Sequence, residues 1–115
     1  MTAYAIARLR NHPGAHPDIV TYLERIQDTL APFSGRFLVH GGAVEVVEGE
    51  WPGAVVVIAF PGMDEARAWY HSAAYQELLP LRTTHIDGEA VLVQGVGPGY
   101  RPSGKIAELR RAENV

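Results

Sequence analysis

The feature that most constrains the fold is an unbroken apolar run from Ala54 to Phe60. A run this short, followed at once by Pro61 and Gly62, predicts a central β-strand that is covered on both faces. A second apolar run, Ala90–Val96, follows a turn at Asp87-Gly88 and predicts the last strand of the domain. The segment between the two runs therefore has to form the connection that carries the chain from one strand to the other.

That connection predicts two short helices. Gly62 and Ser72 are suitable N-cap residues, and Trp69 lies on the inward face of the first helix. Pro80 is expected to kink or end the second helix, because proline lacks the N–H that a helix interior requires. Arg82 then follows at its end.

The first half of the chain predicts a matching unit. Tyr4 to Leu9 alternates weakly and predicts a strand. Pro17 begins an amphipathic helix whose apolar stripe runs to Phe33, and Pro32 and Gly35 end it. A short strand, Arg36–His40, is followed by Gly41-Gly42, where it can bulge or bend, and by extended chain to Glu50.

The resulting order β-α-β-β-α-β predicts an α+β fold, namely a ferredoxin-like sandwich with an antiparallel sheet. Both helices cover one face of this sheet, while the strands are apolar on the other face as well. An uncovered apolar sheet face predicts a homodimer in which two copies pair their sheets. Residues 1–96 are expected to form this domain, and residues 97–115 a C-terminal linker and short helix that Ser103 begins.

Composition excludes several classes of function. The chain has 115 residues, a net charge of −3 and no cysteine. One domain of this charge does not favour nucleic acid or anionic lipid as a partner. The chain has neither the residue order of a signal peptide nor an apolar run near the ~18 residues of a membrane span, so we expect a cytoplasmic protein without membrane contact.

The chain resembles the DUF1330 family of the dimeric α/β-barrel superfamily. The matching segments are Gly35–Gly42, Glu48–Trp51, Val57–Pro61, Ala66–Tyr70, Ser72 with Tyr75-Gln76, Leu81-Arg82 and Val91–Val96. The resemblance implies a ferredoxin-like subunit, a barrel formed by two sheets and a cavity between sheet and helices. The superfamily includes cofactor-free monooxygenases, isomerases and cyclases, haem enzymes and plain binders, so it implies no single reaction. The family often has Arg at the position of His40.

Four residues are candidates for catalysis. His40, at a strand end, and His85, in the loop before the last strand, are candidate general bases. Arg36 and Arg82 could each hold a carboxylate or enolate oxygen. The structural alternatives are a surface histidine for His40, and ion pairs with acids such as Glu45 or Glu77 for Arg82.

Three aromatic residues, Tyr4, Trp51 and Tyr70, are candidate walls of a substrate pocket, although Trp51 could anchor a turn and Tyr70 could simply pack. No metal site is expected: His12 and His16 are four residues apart, but Pro13-Gly14 interrupts any helix between them. No nucleotide-binding motif occurs either, and no cofactor is expected.

Two hypotheses follow. The first is a cofactor-independent enzyme of the isomerase, cyclase or monooxygenase type, acting on a small aromatic or oxo-acid metabolite. The second is a non-catalytic dimer that binds a small molecule or serves as an accessory protein. The two differ in whether a histidine and an arginine converge on one cavity.

Overall fold

A computed structural model describes residues 1–113 of the chain. Four strands and four helices follow one another as β1 (Ala3–Arg10), α1 (Pro17–Leu30), β2 (Arg36–His40), β3 (Ala54–Phe60), α2 (Met63–Tyr70), α3 (Ala73–Thr83), β4 (Asp87–Gln94) and α4 (Lys105–Glu113). Two short 3₁₀ turns, Ala31–Phe33 and Pro102–Gly104, precede β2 and α4. The second helix of the predicted order is thus a pair of consecutive helices, α2 and α3, as the two caps indicated.

The four strands form one antiparallel sheet in the order β2-β3-β1-β4. The register places Ala3 opposite both Phe60 of β3 and Gln94 of β4. This is the strand order that two interleaved β-α-β units produce, and the prediction of a ferredoxin-like α+β fold is confirmed.

Helices α1, α2 and α3 begin where the sequence predicts. Pro17 is the first residue of α1, and the Nδ1 atom of His16 accepts a hydrogen bond from the backbone N–H of Asp18. Gly62 and Ser72 are the N-caps of α2 and α3. The Ser72 hydroxyl accepts from the Tyr75 N–H and donates to the Trp69 carbonyl, which fixes the angle between α2 and α3.

Three local predictions were wrong. Asp87-Gly88, expected as a turn, begins β4 and pairs with Arg10 and Leu9 of β1. Helix α3 does not end at Pro80 but continues to Thr83. Proline costs this helix one donor near its end, but Leu78 before it is fully buried and the Thr84 N–H still bonds to the Pro80 carbonyl. The extended strand to Glu50 does not form either. Residues 44–50 have no strand partner, and the side chain of Val47 is 84% exposed.

The core lies between the sheet and the helices. Its largest fully buried side chains are Phe60, Ile19, Leu30 and Leu78. Burial of each such side chain stabilises the fold by about 1.5–3 kcal/mol. Trp69 is buried as predicted, and its indole N–H donates to the Thr29 hydroxyl at 3.0 Å, while that hydroxyl donates to the Ile26 carbonyl at 2.7 Å.

The other sheet face is covered by no element among residues 1–113. One cross-strand row on this face is apolar along its whole length: Val39, Val57, Ile6 and Val91 are neighbours in the register. Val91 is 55% exposed. We refer to this surface as the open sheet face.

A polar cluster lies at one end of the open sheet face. The Glu89 carboxylate accepts hydrogen bonds from Arg10 at 2.6 Å and Arg8 at 3.3 Å, and the Arg8 guanidinium lies 5.8 Å from the ring centroid of Trp51.

The C-terminal segment is a turn followed by a helix. Ser103 lies inside the 3₁₀ turn, and α4 begins two residues later at Lys105. Its apolar residues Ile106 and Leu109 are exposed. The last two residues of the segment predicted over 97–115 lie outside the described part. No helix in the described chain is long and apolar enough to cross a membrane.

Candidate functional site

A cavity of about 560 Å³ lies between the sheet and helices α1 to α3. Its floor is formed by inward-facing strand residues, several of which are small: Ala5, Ala7, Ala54 and Ala90. Ala7 is opposite Ala90 on β4 and Val56 on β3. Because alanine fills little of the space under a helix, this cross-strand row leaves room for a ligand where a larger residue would complete the core. The volume is in the range of small-molecule sites.

The deep part of the cavity carries two buried phenols. Tyr22 of α1 and Tyr75 of α3 are both buried, and their hydroxyl oxygens lie 2.8 Å apart. The Tyr75 ring also packs on Trp69, with ring centroids 4.1 Å apart. Burial is the main cause, and the neighbouring Tyr75 the second, of a pKa of Tyr22 far above its ordinary value. Tyr22 therefore keeps its proton at neutral and alkaline pH and remains a hydrogen-bond donor.

Arg82 brings a positive charge to the same region. It lies in the last turn of α3, is half-buried, and places its guanidinium carbon 5.8 Å from the ring centroid of Tyr22. Burial alone would lower the pKa of Arg82, but the phenols of Tyr75 and Tyr22 more than offset this and the pKa lies above its ordinary value. Within residues 1–113 no carboxylate forms a salt bridge with Arg82, so its charge is available to a ligand.

Three histidines, His12, His40 and His71, line the outer part of the cavity and are exposed. A β-bulge explains the direction of His40. Phe37 pairs with Ile58 and His40 pairs with Val56, with the register shift between Phe37 and Val39. Residues three apart in a regular strand point to opposite faces, but the extra residue of the bulge puts both on the cavity side. The two rings stack with centroids 4.5 Å apart.

The structure thus brings together three of the seven predicted site residues: His40, Arg82 and Tyr70 line one cavity. The others lie elsewhere. His85 bonds to the Asp18 carboxylate at 2.8 Å. Tyr4 alternates with the inward-facing Ala3 and Ala5 and so lies on the open sheet face.

Arg36 and Trp51 also lie away from the cavity. Arg36 shares the cross-strand row of Tyr4 through Ala59 and is exposed. Trp51 packs near Arg8. Strand alternation puts Arg36 on the open sheet face. The contact with Arg8 holds Trp51 away from the helices that cover the cavity.

Sequence reasoning missed four cavity residues, Tyr22, Tyr75, His12 and His71. Tyr22 belongs to the apolar stripe of α1, and His71 is the C-cap residue of α2. Helix periodicity and capping therefore account for the presence of these two residues without a ligand. One signal was available: alanine recurs at the inward positions of β1, where a fully packed core would require larger side chains.

A four-stranded antiparallel sheet with helices on one face and a cavity beneath them defines the ferredoxin-like class found in dimeric α/β-barrel proteins. The model of the family described as "Domain of unknown function (DUF1330)" matches residues 2–96, and the chain belongs to this family, as the resemblance predicted. No curated protein matches the chain.

Solved structures support the fold. The RPA0582 protein of unknown function from Rhodopseudomonas palustris is similar at 14% identity with a TM-score of 0.63, over 84% of each chain. SnoaB from Streptomyces nogalater, a cofactor-independent oxygenase solved as a mutant, is similar at 12% identity with a TM-score of 0.57, over 88% of this chain and 97% of that one. At these identities the similarity establishes the fold alone.

Proposed function

We propose that the cavity binds a small aromatic or oxo-acid molecule and that the protein is a cofactor-independent enzyme acting on an acidic C–H bond. The observation that supports this most directly is that His40 and Arg82 line one apolar cavity together with the buried phenols of Tyr22 and Tyr75. An apolar cavity with a few convergent polar groups is the arrangement that small-molecule sites share.

The proposed chemistry starts with a proton transfer. His40 accepts a proton from the carbon next to a carbonyl group, and the electron pair of the C–H bond moves to the carbonyl oxygen as an enolate. Arg82 and the one phenol hydrogen that is not used between Tyr22 and Tyr75 stabilise the negative oxygen, and the surrounding apolar walls strengthen that interaction by excluding water. Return of the proton to another carbon gives an isomerisation. Attack of the enolate on an internal electrophile gives a cyclisation, and its reaction with O₂ gives an oxygenation.

The polarity of the cavity also supports one class of ligand. The aromatic walls of Trp69, Tyr70 and Tyr75 suit a planar ring, and Arg82 suits a carboxylate or enolate oxygen. A ring carrying an oxo-acid group matches both features.

The alternative function is binding without catalysis. The exposure of His40, which stacks on Phe37 at the cavity's outer part, favours it, because a general base is more effective where water is excluded. The proposed enzyme and the binding protein share Arg82 and the phenols and differ only in the role of His40.

One experiment separates them. The chain has two tryptophans, and Trp51 lies outside the cavity, so Trp51→Phe leaves Trp69 as a fluorescent reporter of cavity occupancy. We expect phenylpyruvate to change Trp69 fluorescence saturably, and Arg82→Gln to weaken its binding roughly tenfold or more, with Arg82→Lys in between. Phenylacetone, which has a methyl group in place of the carboxylate, should bind equally well to the protein with Arg82 and to Arg82→Gln.

Catalysis is measured on the same ligand by NMR. We expect the protein to accelerate exchange of the C3 hydrogens of phenylpyruvate with D₂O, and His40→Gln to abolish this acceleration while leaving binding unchanged. Binding without accelerated exchange in the wild-type protein would support the alternative. Absence of saturable binding would contradict both functions.

We also propose that the protein is a cytoplasmic homodimer. The apolar row of Val39, Val57, Ile6 and Val91 supports pairing through the open sheet face, because a second copy would remove this row from water. Such pairing leaves the cavity on the opposite side of the sheet open to ligand. The cytoplasmic location stays a prediction from the sequence.

A further inference from the structure

Outside the cavity, two imidazoles and one carboxylate converge at one edge of the domain. His16 precedes α1, Asp18 lies in its first turn, and His85 lies in the turn between α3 and β4. Sequence spacing gave no indication of this group, since His85 is 67 residues from Asp18. The fold brings them together by packing the start of α1 against the end of α3.

The distances within this group suit coordination of one ion. One potential ligand atom from each residue lies within 4.8 Å of the other two, and the His85 Nε2 atom is 2.8 Å from the Asp18 Oδ2 atom. Zinc binds imidazole nitrogen and carboxylate oxygen at about 2.0–2.2 Å, so neighbouring ligand atoms of one ion lie about 3 Å apart. Small side-chain adjustments would therefore bring all three atoms to one ion.

The surroundings leave room for an ion and its remaining ligands. All three residues are half-buried, and the Asp18 and His85 side chains are 46% and 22% exposed. The rings of His16 and His85 face each other, with centroids 3.8 Å apart and planes inclined by 33°. The three side chains thus offer two nitrogen donors and one oxygen donor at one place.

We propose that His16, Asp18 and His85 form a binding site for a divalent transition-metal ion of the zinc class. Two nitrogen donors and one carboxylate suit such ions, whereas Ca²⁺ and Mg²⁺ prefer oxygen ligands throughout. Water would complete the coordination. This proposal does not depend on the proposed function of the cavity.

One existing interaction limits the affinity. The His16 Nδ1 atom accepts the N-cap hydrogen bond from Asp18, so the proton of the neutral ring resides on Nε2. Coordination through Nε2 moves that proton to Nδ1, and coordination through Nδ1 occupies the accepting lone pair. Either mode breaks the N-cap bond. We therefore expect weaker binding than at a closed four-ligand structural site.

A bound ion would link the start of α1 to the α3–β4 turn. Ile19 and Ile86, each the next residue after a proposed ligand, both line the cavity. Occupation of the site would thus hold two of the cavity's walls in place, and we expect it to raise the melting temperature of the protein.

The test uses the full chain without a histidine tag, freed of metal with EDTA and titrated with Zn²⁺ at neutral pH by calorimetry. We expect one ion per chain. His85→Ala and Asp18→Asn should each weaken binding roughly tenfold or more and remove the rise in melting temperature that Zn²⁺ produces. His12→Ala is the matched control, since it removes an exposed histidine of the same loop outside the group and should leave binding unchanged.

Two results would overturn the proposal. One is the absence of saturable binding at millimolar Zn²⁺. The other is Zn²⁺ binding that survives both His85→Ala and Asp18→Asn, which would place the ion elsewhere, such as at the histidines of the cavity's outer part. Circular dichroism checks that each variant folds. If His85→Ala unfolds, Asp18→Asn and the Co²⁺ absorption spectrum of the wild-type protein still decide the matter, because a four- or five-coordinate site with imidazole ligands gives visible absorption that is stronger than that of aqueous Co²⁺ and that Asp18→Asn should change.

Discussion

The hydroxyl oxygens of Tyr22 and Tyr75 lie 2.8 Å apart in the deep part of the cavity and join α1 to α3. Each phenol satisfies the other in a place with little water, and the two rings meet edge to face with centroids 6.2 Å apart. One O–H donates within the pair, which leaves the other hydroxyl hydrogen able to donate in the cavity near Arg82. The pair therefore serves both the packing of the helices and the polarity of the proposed site.

A double-mutant cycle tests this pair. Tyr22→Phe or Tyr75→Phe alone should reduce the free energy of unfolding by about 1–3 kcal/mol, because each leaves a buried hydroxyl without its partner. The double variant should lose clearly less than the sum of the two, since it removes both hydroxyls together. Urea denaturation at one protein concentration gives all four values. Strictly additive losses would show that the two hydroxyls do not interact.

Features of the fold that depend on residues close together in the sequence could be predicted, whereas features that depend on tertiary packing could not. Caps and periodicity are local, so Pro17, Gly62 and Ser72 mark helix starts correctly. The predicted helix end at Pro80 was wrong because tertiary packing outweighs one missing donor. Leu78 is fully buried, and the Thr84 N–H still bonds to the Pro80 carbonyl. The domain order was predictable because apolar runs and turns alternate clearly.

The site was less predictable because it depends on which face a side chain takes. The bulge between Phe37 and Val39 decides that His40 lies over the cavity, and no local signal gives its position within β2. Tyr4 was predicted to line the pocket but lies on the open sheet face, because neighbouring residues in a strand point to opposite faces. The group of His16, Asp18 and His85 depends on helix packing across the whole domain.

Gly35 offers a test of the packing at the end of α1. A Cβ atom added there would lie 2.7 Å from the Phe60 ring and 2.8 Å from Leu30, both fully buried. Gly35→Ala should therefore destabilise the protein by about 1–3 kcal/mol through overpacking. Gly42→Ala is the control, because nothing lies within 4 Å of its added Cβ. Thermal and urea unfolding measure both; equal stability of the two variants would contradict the close approach.

The ion pairs of Glu89 should make the stability of the protein depend on pH in the acid range. The hydrogen bond from Arg10 holds the pKa of Glu89 below its usual range. A folded-state pKa below the unfolded value gives stability that is present at neutral pH and is lost as the pH falls through the folded-state pKa. Glu89→Gln should therefore lower the melting temperature slightly at neutral pH and not at strongly acidic pH. Glu24→Gln, an exposed glutamate outside the ion pairs, should show no such pH-dependent difference.

Val91 tests the proposed pairing of two open sheet faces. It lies on the edge strand β4 opposite Ile6 and is 55% exposed, so a lysine there should be tolerated by the subunit while placing a charge in the apolar row. We expect the wild-type protein to be a dimer by size-exclusion chromatography with light scattering, and Val91→Lys to be a folded monomer at the same concentration. Val47→Lys, on a side chain that is 84% exposed outside the sheet, should remain dimeric. A wild-type monomer at micromolar concentration would refute the dimer, whereas a dimeric Val91→Lys would show that the copies meet through another surface.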